Sequence, residues 1–262
     1  MSSGPAARWW SLRRLGPRRP RRRRILAMLA FRDEMRYLPD WFENVVPHVD
    51  GVVALDDGST DGSGEYVAAH PAVLEVVRRP PREPHVWEDA ANHRLLVETG
   101  WRHRPDWLLG VDADERLEHD FRRRAEAEID RAEHEGLTAY NLQVREVWDR
   151  PDRVRVDGLW GRKVSPRLFL ARRDHQFHEQ RLHCYWAPLD SRLPDGRFPD
   201  ADLFLYHLKM LHPADREARR DRYRALDPDR ELQAIGYDYL TDETGLELAP
   251  LPTARGYRPW PG

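Results

Sequence analysis

Short hydrophobic runs alternate with amphipathic segments along the first half of this chain. Residues 25–31 (ILAMLAF) and 52–55 (VVAL) have the length and composition of buried β-strands. Between them, hydrophobic side chains recur at nearly helical spacing from Leu38 to Val49, and Pro39 is acceptable in the first turn of a helix. This alternation of strands and helices predicts an α/β fold with a mostly parallel central sheet flanked by helices.

The same pattern continues toward the C-terminus. Further strands are predicted at residues 73–77, 107–111, 138–144, 167–170 and 203–207, and further helices at 88–102, 121–135 and 215–224. Residues 150–162 are predicted to form a loop. Because the pattern shows no second domain boundary, we expect a disordered arm at 1–24, one domain at 25–240 and an irregular tail at 241–262.

Carboxylates directly follow two of the predicted strands. Asp56 and Asp57 begin the segment DDGSTDGS, and Asp112 and Asp114 lie in the segment DADE. In open α/β sheets, the carboxyl ends of the strands border the crevice that binds ligands. Side chains at i and i+2 of an extended strand point the same way, so Asp112 and Asp114 are predicted to hold Mg²⁺ or Mn²⁺ together with substrate phosphates.

These segments resemble glycosyltransferase family 2 enzymes, which have the GT-A fold. The resemblance rests on the first strand followed by Arg-Asp-Glu, on DDGSTDGS and on DADE at this separation, and it extends over about residues 25–239. It implies that Asp57, with the adjacent Asp56, binds the base or ribose of a nucleotide sugar. It also implies that Asp112 and Asp114 hold the divalent cation, and that Asp112 contacts the ribose–diphosphate.

The resemblance implies further functional residues on other elements. Asn92 and Arg94 lie on the helix predicted at 88–102 and are candidates for contacting the nucleotide diphosphate. The alternative interpretation is that both residues belong to an exposed face of this helix. His207 ends a predicted strand and is expected to complete the metal site, because neutral imidazole can join carboxylates around Mn²⁺. Lys209 and Arg222 are candidates for neutralising the leaving diphosphate.

An inverting sugar transfer needs a base that removes the proton of the acceptor hydroxyl. The resemblance places a His-Glu pair after the strand that contains Arg-Leu-Phe, and Glu179 is therefore the predicted base. His178 either orients Glu179 or acts in its place. A structural salt bridge is the alternative interpretation of Glu179, and Asp157 and Asp174 are weaker candidates for the base.

Composition and charge divide the chain into a basic arm and an acidic body. The 262 residues carry a net charge of −2, yet nine arginines lie between Arg8 and Arg24, before the first acidic residue, Asp33. Such an arm is either a solvated tail or binds an anionic membrane surface, with nucleic acid the less favoured partner. The single cysteine, Cys184, excludes an internal disulfide framework, and no hydrophobic run has the length of a membrane span.

The sequence and its resemblance therefore predict a cytoplasmic, metal-dependent, inverting glycosyltransferase, with contact of the arm with the inner face of the membrane as the alternative to a solvated tail. The enzyme would move a sugar from a nucleotide-diphosphate donor to a hydroxyl of a glycan, lipid or small-molecule acceptor. A sugar nucleotidyltransferase shares the α/β plan, but residues 31–34 lack the Gly-rich phosphate loop that normally follows its first strand. A third hypothesis, a degenerate nucleotide-sugar-binding or membrane-associated interaction protein, is disfavoured by the intact Asp57, Asp112 and Asp114.

Overall fold

The computed structural model describes residues 22–83, 85–86, 88–177, 179 and 184–259. The arm predicted at 1–24 therefore lies outside the described residues except for its last three. His178, the predicted partner of Glu179, also lies outside them.

The elements follow one another in the predicted order. The strands are β1 (Ile25–Phe31), β2 (Val52–Asp56), β3 (Val73–Arg78), β4 (Trp107–Gly110), β5 (Glu115–Leu117), β6 (Ala139–Glu146), β7 (Arg153–Arg155), β8 (Val164–Leu170), β9 (Asp200–His207) and β10 (Leu248–Pro250). The helices are α1 (Leu38–Val45), α2 (Ser63–Ala69), α3 (Asp89–Arg102), α4 (Phe121–Glu135) and α5 (Pro213–Leu226). Every strand and helix predicted from the pattern is confirmed, with boundaries within a few residues.

One large sheet organises the part of the chain that the structure describes. Its strand order is β3-β2-β1-β4-β8-β6-β9-β5. The neighbours β1 and β2, β2 and β3, β1 and β4, and β6 and β9 are parallel, whereas β8 and β5 run against their neighbours. The predicted fold class, an α/β fold with a mostly parallel central sheet flanked by helices, is confirmed.

Both faces of the parallel half of the sheet are buried. Phe31 of β1 packs on one face in the cluster that includes Trp41 of α1 and Ile129 of α4. Met28 of β1 points to the other face and joins a cluster with Leu96 of α3. Strands covered on both faces need hydrophobic residues at every position, which explains the uninterrupted run in β1.

The chain departs from the expected strand after Gly110. β4 ends there, Glu115 donates its backbone N–H to the Asp112 carbonyl at 3.0 Å, and β5 then pairs antiparallel with β9. Asp112 and Asp114 therefore lie on a tight turn between two strands, and the expectation that they extend one strand is wrong. The turn, and not the alternation of a strand, decides where their carboxylates point.

The C-terminal residues pack against the domain although most of them are irregular. β10 pairs antiparallel with β7, which forms within the segment predicted to be a loop. Tyr257 is buried and donates its hydroxyl to the Pro151 carbonyl at 3.0 Å. Among the described residues, no helix is long and apolar enough to span a membrane.

We expect Asn44 to be a structural polar residue that joins three segments. Its side-chain amide donates to the carbonyls of Leu117 at 3.0 Å and Arg258 at 2.8 Å, and its oxygen accepts the Leu117 N–H at 2.7 Å. Asn44→Ala should lower the free energy of unfolding by about 2–4 kcal/mol, because buried backbone groups lose their partners. Urea unfolding followed by circular dichroism measures the change. The matched control, Glu43→Ala, alters an exposed position of the same helix and should shift stability by only about 0.5 kcal/mol.

Candidate functional site

A cavity of about 440 Å³ lies where β1, β4 and β9 reach their carboxyl ends. Residues that follow these strands line one side of it, residues of β8 line another, and side chains of α3 and α5 close it. This is the edge of an α/β sheet at which ligands generally bind. The described cavity is therefore the candidate active site.

Six of the predicted site residues meet in this cavity. The predicted residues that line it are Asp112, Asp114, His207, Asn92, Lys209 and Arg222. The predicted residues that do not line it are Asp56, Asp57, Arg94 and Glu179. The metal-binding part of the prediction and its cationic neighbours are thus brought together, although they come from segments about 100 residues apart.

His207 is buried between two carboxylates. Its Nε2 lies 3.2 Å from Asp114 Oδ2, and its Nδ1 lies 2.7 Å from Glu146 Oε2. Burial alone would lower the pKa of the imidazole, but the charges of Glu146 and Asp114 outweigh it and raise the pKa of His207 to about 9. Desolvation opposes ionisation of Asp114, yet the pKa of Asp114 is held well below its usual range, chiefly by His207.

Asp112 is anchored by an arginine from β8. Arg167 Nη1 donates to Asp112 Oδ2 at 3.1 Å, and Nη2 donates to Glu115 Oε1 at 2.6 Å. Glu115 in turn accepts the Asp112 backbone N–H at 2.8 Å. One guanidinium thereby holds both ends of the Asp112–Glu115 turn against the sheet.

The residue types at this turn suit a hard divalent cation. Among the described residues, no three carboxylate, imidazole or thiol groups already form a metal cage. Mg²⁺ and Mn²⁺, however, are often held by one or two carboxylates while substrate phosphates supply further ligands. Asp112 and Asp114 line the cavity, and His207 Nε2 lies beside Asp114. A cation bound there would displace the Nε2 proton that the high pKa of His207 implies, so the donor set fits such an ion. The three ligands remain a prediction.

Asn92 is an unsatisfied polar residue at the cavity. Its side chain is fully buried near the start of α3 and lines the cavity. Within the described part of the chain, neither the amide nitrogen nor the amide oxygen has a hydrogen-bond partner. A buried amide without partners costs about 1–3 kcal/mol. A ligand with donor and acceptor groups would remove this cost, which supports the predicted role of Asn92.

The DDGSTDGS segment holds the turn after β1 in place. The N–H groups of Asp33 and Glu34 donate to the hydroxyls of Ser59 at 3.1 Å and Ser63 at 3.0 Å, respectively. These two hydrogen bonds place Glu34 at the cavity. Burial there raises the pKa of Glu34 to about 7 despite the nearby Lys209. Glu34 is thus a carboxyl group able to take up a proton near neutral pH.

Asp57 is enclosed by its own neighbourhood. Oδ1 accepts from Arg79 at 3.3 Å and Arg82 at 3.2 Å, and Oδ2 lies 3.0 Å from His85 Nε2. Asp56 accepts the Ser59 N–H at 2.8 Å and so shapes the turn that follows β2. Contact of Asp57 with a nucleotide would require Arg79, Arg82 and His85 to exchange partners, and the role of Asp57 stays a prediction.

Three further predicted residues in the described part of the chain, Glu179, Arg94 and Asp157, do not line the cavity. Glu179 is exposed, and its neighbours on both sides, His178 and 180–183, lie outside the described residues. Arg94 is on the exposed face of α3. Asp157 is paired with Arg155 at 2.8 and 2.9 Å, so this alternative base is engaged in a salt bridge.

Several residues of the site were not anticipated from the sequence. These residues are Glu34, Glu115, Glu146, Arg167, Trp186 and Arg219. Glu146 ends β6 as Asp56 ends β2, so a search for carboxylates at the ends of all predicted strands, not only the apolar ones, could have found it. Arg167 and Arg219 carried no such signal, because arginines are frequent throughout this chain.

A histidine and a tryptophan form the apolar wall of the cavity. His93 stacks on Trp186 with ring centroids 4.0 Å apart, and its Nδ1 donates to the Tyr185 carbonyl at 3.2 Å. The Trp186 ring lies over Gly110, where an added Cβ would come within 2.2 Å of the indole. Burial lowers the pKa of His93 to about 4, so this wall is neutral at physiological pH.

Comparison with known proteins gives relatives but no family. No family model matches the chain. Rv3786c of Mycobacterium tuberculosis and Mb3815c of Mycobacterium bovis, both uncharacterised, are each 34% identical to it over 249 residues. These matches cover 85% of this chain and 57% of each relative, so the chain spans little more than half of their length.

Similarity to solved structures is weak. TarS of S. aureus has a TM-score of 0.48 and 16% identity, covering 78% of this chain and 39% of the TarS chain. Glucosyl-3-phosphoglycerate synthase from Mycobacterium tuberculosis, in complex with Mn²⁺ and UDP-glucose, has a TM-score of 0.34 and 19% identity, covering 47% and 44% of the two chains. Both TM-scores are below 0.5, so the function must be argued from the residues of this chain.

We expect His93 to make stability depend on pH. Its folded pKa of about 4 lies below the unfolded value of 6.5, so its stabilising contribution is complete above pH 6.5 and is lost as pH falls toward 4. At pH 5 the loss amounts to about 2 kcal/mol. His93→Gln should therefore lose less stability than the parent between pH 7.5 and 5 in urea unfolding. Exposed His134→Gln is the control and should follow the parent, whereas equal slopes for all three proteins would contradict a neutral buried His93.

Proposed function

We propose that this chain is a metal-dependent glycosyltransferase of the GT-A type that transfers a sugar from a nucleotide diphosphate to an acceptor hydroxyl with inversion. The observation that carries the proposal is the convergence of Asp112, Asp114 and His207 on one cavity at the carboxyl edge of the sheet. The family 2 resemblance of the DDGSTDGS and DADE segments supports it independently. The unsatisfied amide of Asn92 in the same cavity marks it as a ligand site.

The metal would be held by Asp112, Asp114 and His207. When bound, Mn²⁺ or Mg²⁺ supplies positive charge to the donor diphosphate and favours its departure. Arg167 would keep the Asp112 carboxylate oriented toward the metal position, because its guanidinium donates to both Asp112 and Glu115 at the two ends of the turn. Orientation fixed before the ligand arrives reduces the reorganisation that binding and reaction require.

Cationic side chains at the cavity would also stabilise the negative charge of the leaving diphosphate. Lys209, Arg219 and Arg222 line the cavity beside the acidic turn. Arg219 Nη1 lies 3.9 Å from Asp114 Oδ2. Burial alone would lower the pKa of its guanidinium, but Tyr223, Asp114 and Glu146 outweigh burial and raise it, so the side chain stays charged. Fixed positive charges near a leaving diphosphate lower the barrier in proportion to the charge that develops on it.

Glu179 remains the proposed base for the acceptor hydroxyl. Its side chain is exposed to solvent, and Cys184, which is described again after residues 180–183, lines the cavity. Glu34 is the second carboxyl group suited to this chemistry, because it already lines the cavity with a pKa of about 7. A base whose pKa lies near the working pH is the most effective.

The acceptor, a glycan, lipid or small molecule, and the cytoplasmic location belong to the same proposal. Contact of the basic residues Arg8 to Arg24 with an anionic membrane is supported by their charge alone. The chain spans 57% of the length of its relatives. The proposed activity, acceptor and location therefore apply to this chain and not to the full-length relatives.

Asp112→Asn and Asp114→Asn should abolish metal-dependent binding of the donor. A thermal-shift screen of UDP-, GDP- and dTDP-sugars with and without Mn²⁺ should find one that stabilises the parent, because a ligand of the native state raises its melting temperature. Each variant should lose the Mn²⁺-dependent part of that shift while its ligand-free unfolding stays cooperative.

The matched control for both variants is Asp130→Asn, which changes an exposed aspartate on α4. It should retain the full shift of the parent. If both cavity variants respond to Mn²⁺ and the nucleotide sugar as the parent does, the metal site has been assigned to the wrong residues.

Glu179→Gln should keep the affinity for the donor and reduce turnover by about 10²-fold or more, the range expected for loss of a general base. Sugar transfer to the acceptor is measured under saturating donor, with exposed Glu98→Gln on α3 as the control. Near-parental turnover of Glu179→Gln would transfer the role to Glu34, His178 or Asp174.

A further inference from the structure

Glu146 is a buried carboxylate that neither the family resemblance nor the cavity lining assigns to a role. It ends β6, its side chain is fully buried, and it does not line the cavity. Both of its oxygens are engaged: Oε2 lies 2.7 Å from His207 Nδ1, and Oε1 accepts from Lys163 Nζ. A carboxylate in this position cannot touch a ligand and can act on the cavity only through His207.

The sheet itself brings Glu146 and His207 together. β6 and β9 are parallel neighbours, and the two residues are partners in the strand register. Side chains at paired positions of neighbouring strands lie on the same face, so the contact follows from the backbone and does not depend on a flexible loop. His207 is also the register partner of Glu115 on β5, so strands on both sides hold its backbone.

The contact decides which imidazole nitrogen faces the cavity. With Nδ1–H donated to Glu146, the other nitrogen, Nε2, points at Asp114 Oδ2, 3.2 Å away. Metal-binding histidines nearly always donate their second N–H to a carboxylate or carbonyl, which fixes the ring and makes the coordinating nitrogen more basic. Lys163 Nζ donates to the other oxygen of Glu146 and so adds a counter-charge, without approaching His207 in the observed contacts.

From this geometry we propose that Glu146 is a positioning residue for the divalent-metal site, acting by orienting His207 toward the ion. The inference rests on the proposed metal-dependent function and extends it to a residue on the opposite side of His207 from the cavity. It makes β6, in the mixed half of the sheet, a determinant of metal affinity alongside the Asp112–Glu115 turn.

The test measures Mn²⁺ binding to the full chain by electron paramagnetic resonance, with Mn²⁺ alone as the probe. Glu146→Gln should weaken Mn²⁺ binding by about 10- to 100-fold, the usual effect of losing such a partner. Nitrogen-14 modulation in the spin echo of bound Mn²⁺, which reports a coordinated imidazole, should be present in the parent and weakened or lost in Glu146→Gln.

The matched control is Glu118→Gln. Glu118 is equally buried and ion-paired, with Arg255 Nε at 2.6 Å and Nη2 at 2.7 Å, but it contacts none of the proposed metal ligands. Glu118→Gln should lower stability while leaving Mn²⁺ affinity and the nitrogen signal as in the parent. A loss of metal binding that accompanied any buried glutamate substitution would appear in both variants and overturn the proposal.

A double-mutant cycle separates action through His207 from a general structural effect. In a His207→Ala background, Glu146→Gln should cause no further loss of Mn²⁺ affinity; an undiminished additional loss would overturn the proposal. If Glu146→Gln does not fold, Glu146→Asp retains the charge but withdraws the carboxylate from Nδ1. It should then show reduced affinity, and parental affinity would again overturn the proposal.

The same experiment distinguishes the inference from the proposed function beneath it. Absence of Mn²⁺ binding by the parent would contradict metal dependence itself, and the role of Glu146 would fall with it. Binding by the parent, with unchanged affinity and nitrogen signal in Glu146→Gln, would overturn only the role of Glu146.

Discussion

Buried charge at the carboxyl edge of the sheet must be paired, and the rest of the site depends on this constraint. An ion removed from water costs several kcal/mol unless an opposite charge and hydrogen bonds compensate it. His207 satisfies this condition with Asp114 on one side and Glu146 on the other. Arg167 satisfies it with Asp112 and Glu115. Each pair joins different strands, so neutralising the charges also fixes the positions of the strands.

The two halves of the sheet contribute differently to the cavity. The parallel half, β3-β2-β1-β4, packs hydrophobic residues on both faces, and β1 and β4 end at the cavity. The other half mixes parallel and antiparallel strands and supplies Arg167 from β8 and His207 from β9 to the cavity. A hydrophobic scaffold with polar groups at one edge can hold ionised side chains in place while leaving the cavity open to ligands.

Part of the DDGSTDGS segment acts on the protein rather than on a ligand. Ser59 and Ser63 bind the backbone of the turn after β1, and Thr60 donates its N–H to Asp33 Oδ1 at 2.7 Å. These contacts couple the ends of β1 and β2, and they hold Glu34 beside the metal-binding turn. A nucleotide that approached this segment would therefore meet a preorganised surface, which lowers the entropic cost of binding.

The sequence by itself determined the helices and strands, and it indicated that functional residues follow the carboxyl ends of the strands. Hydrophobic period and strand-end carboxylates predicted β1, β2, β4 and the importance of Asp112, Asp114 and His207, because these signals are local to each segment. Only the tertiary structure decided that Glu146 orients His207 and that Arg167 secures Asp112, since both contacts depend on strand pairing between segments at least 50 residues apart. It also decided that Asp57 lies among Arg79, Arg82 and His85, because a loop without a regular pattern folds back over it. Local patterns report burial and periodicity, whereas the partner of a buried charge is chosen by the register of the assembled sheet.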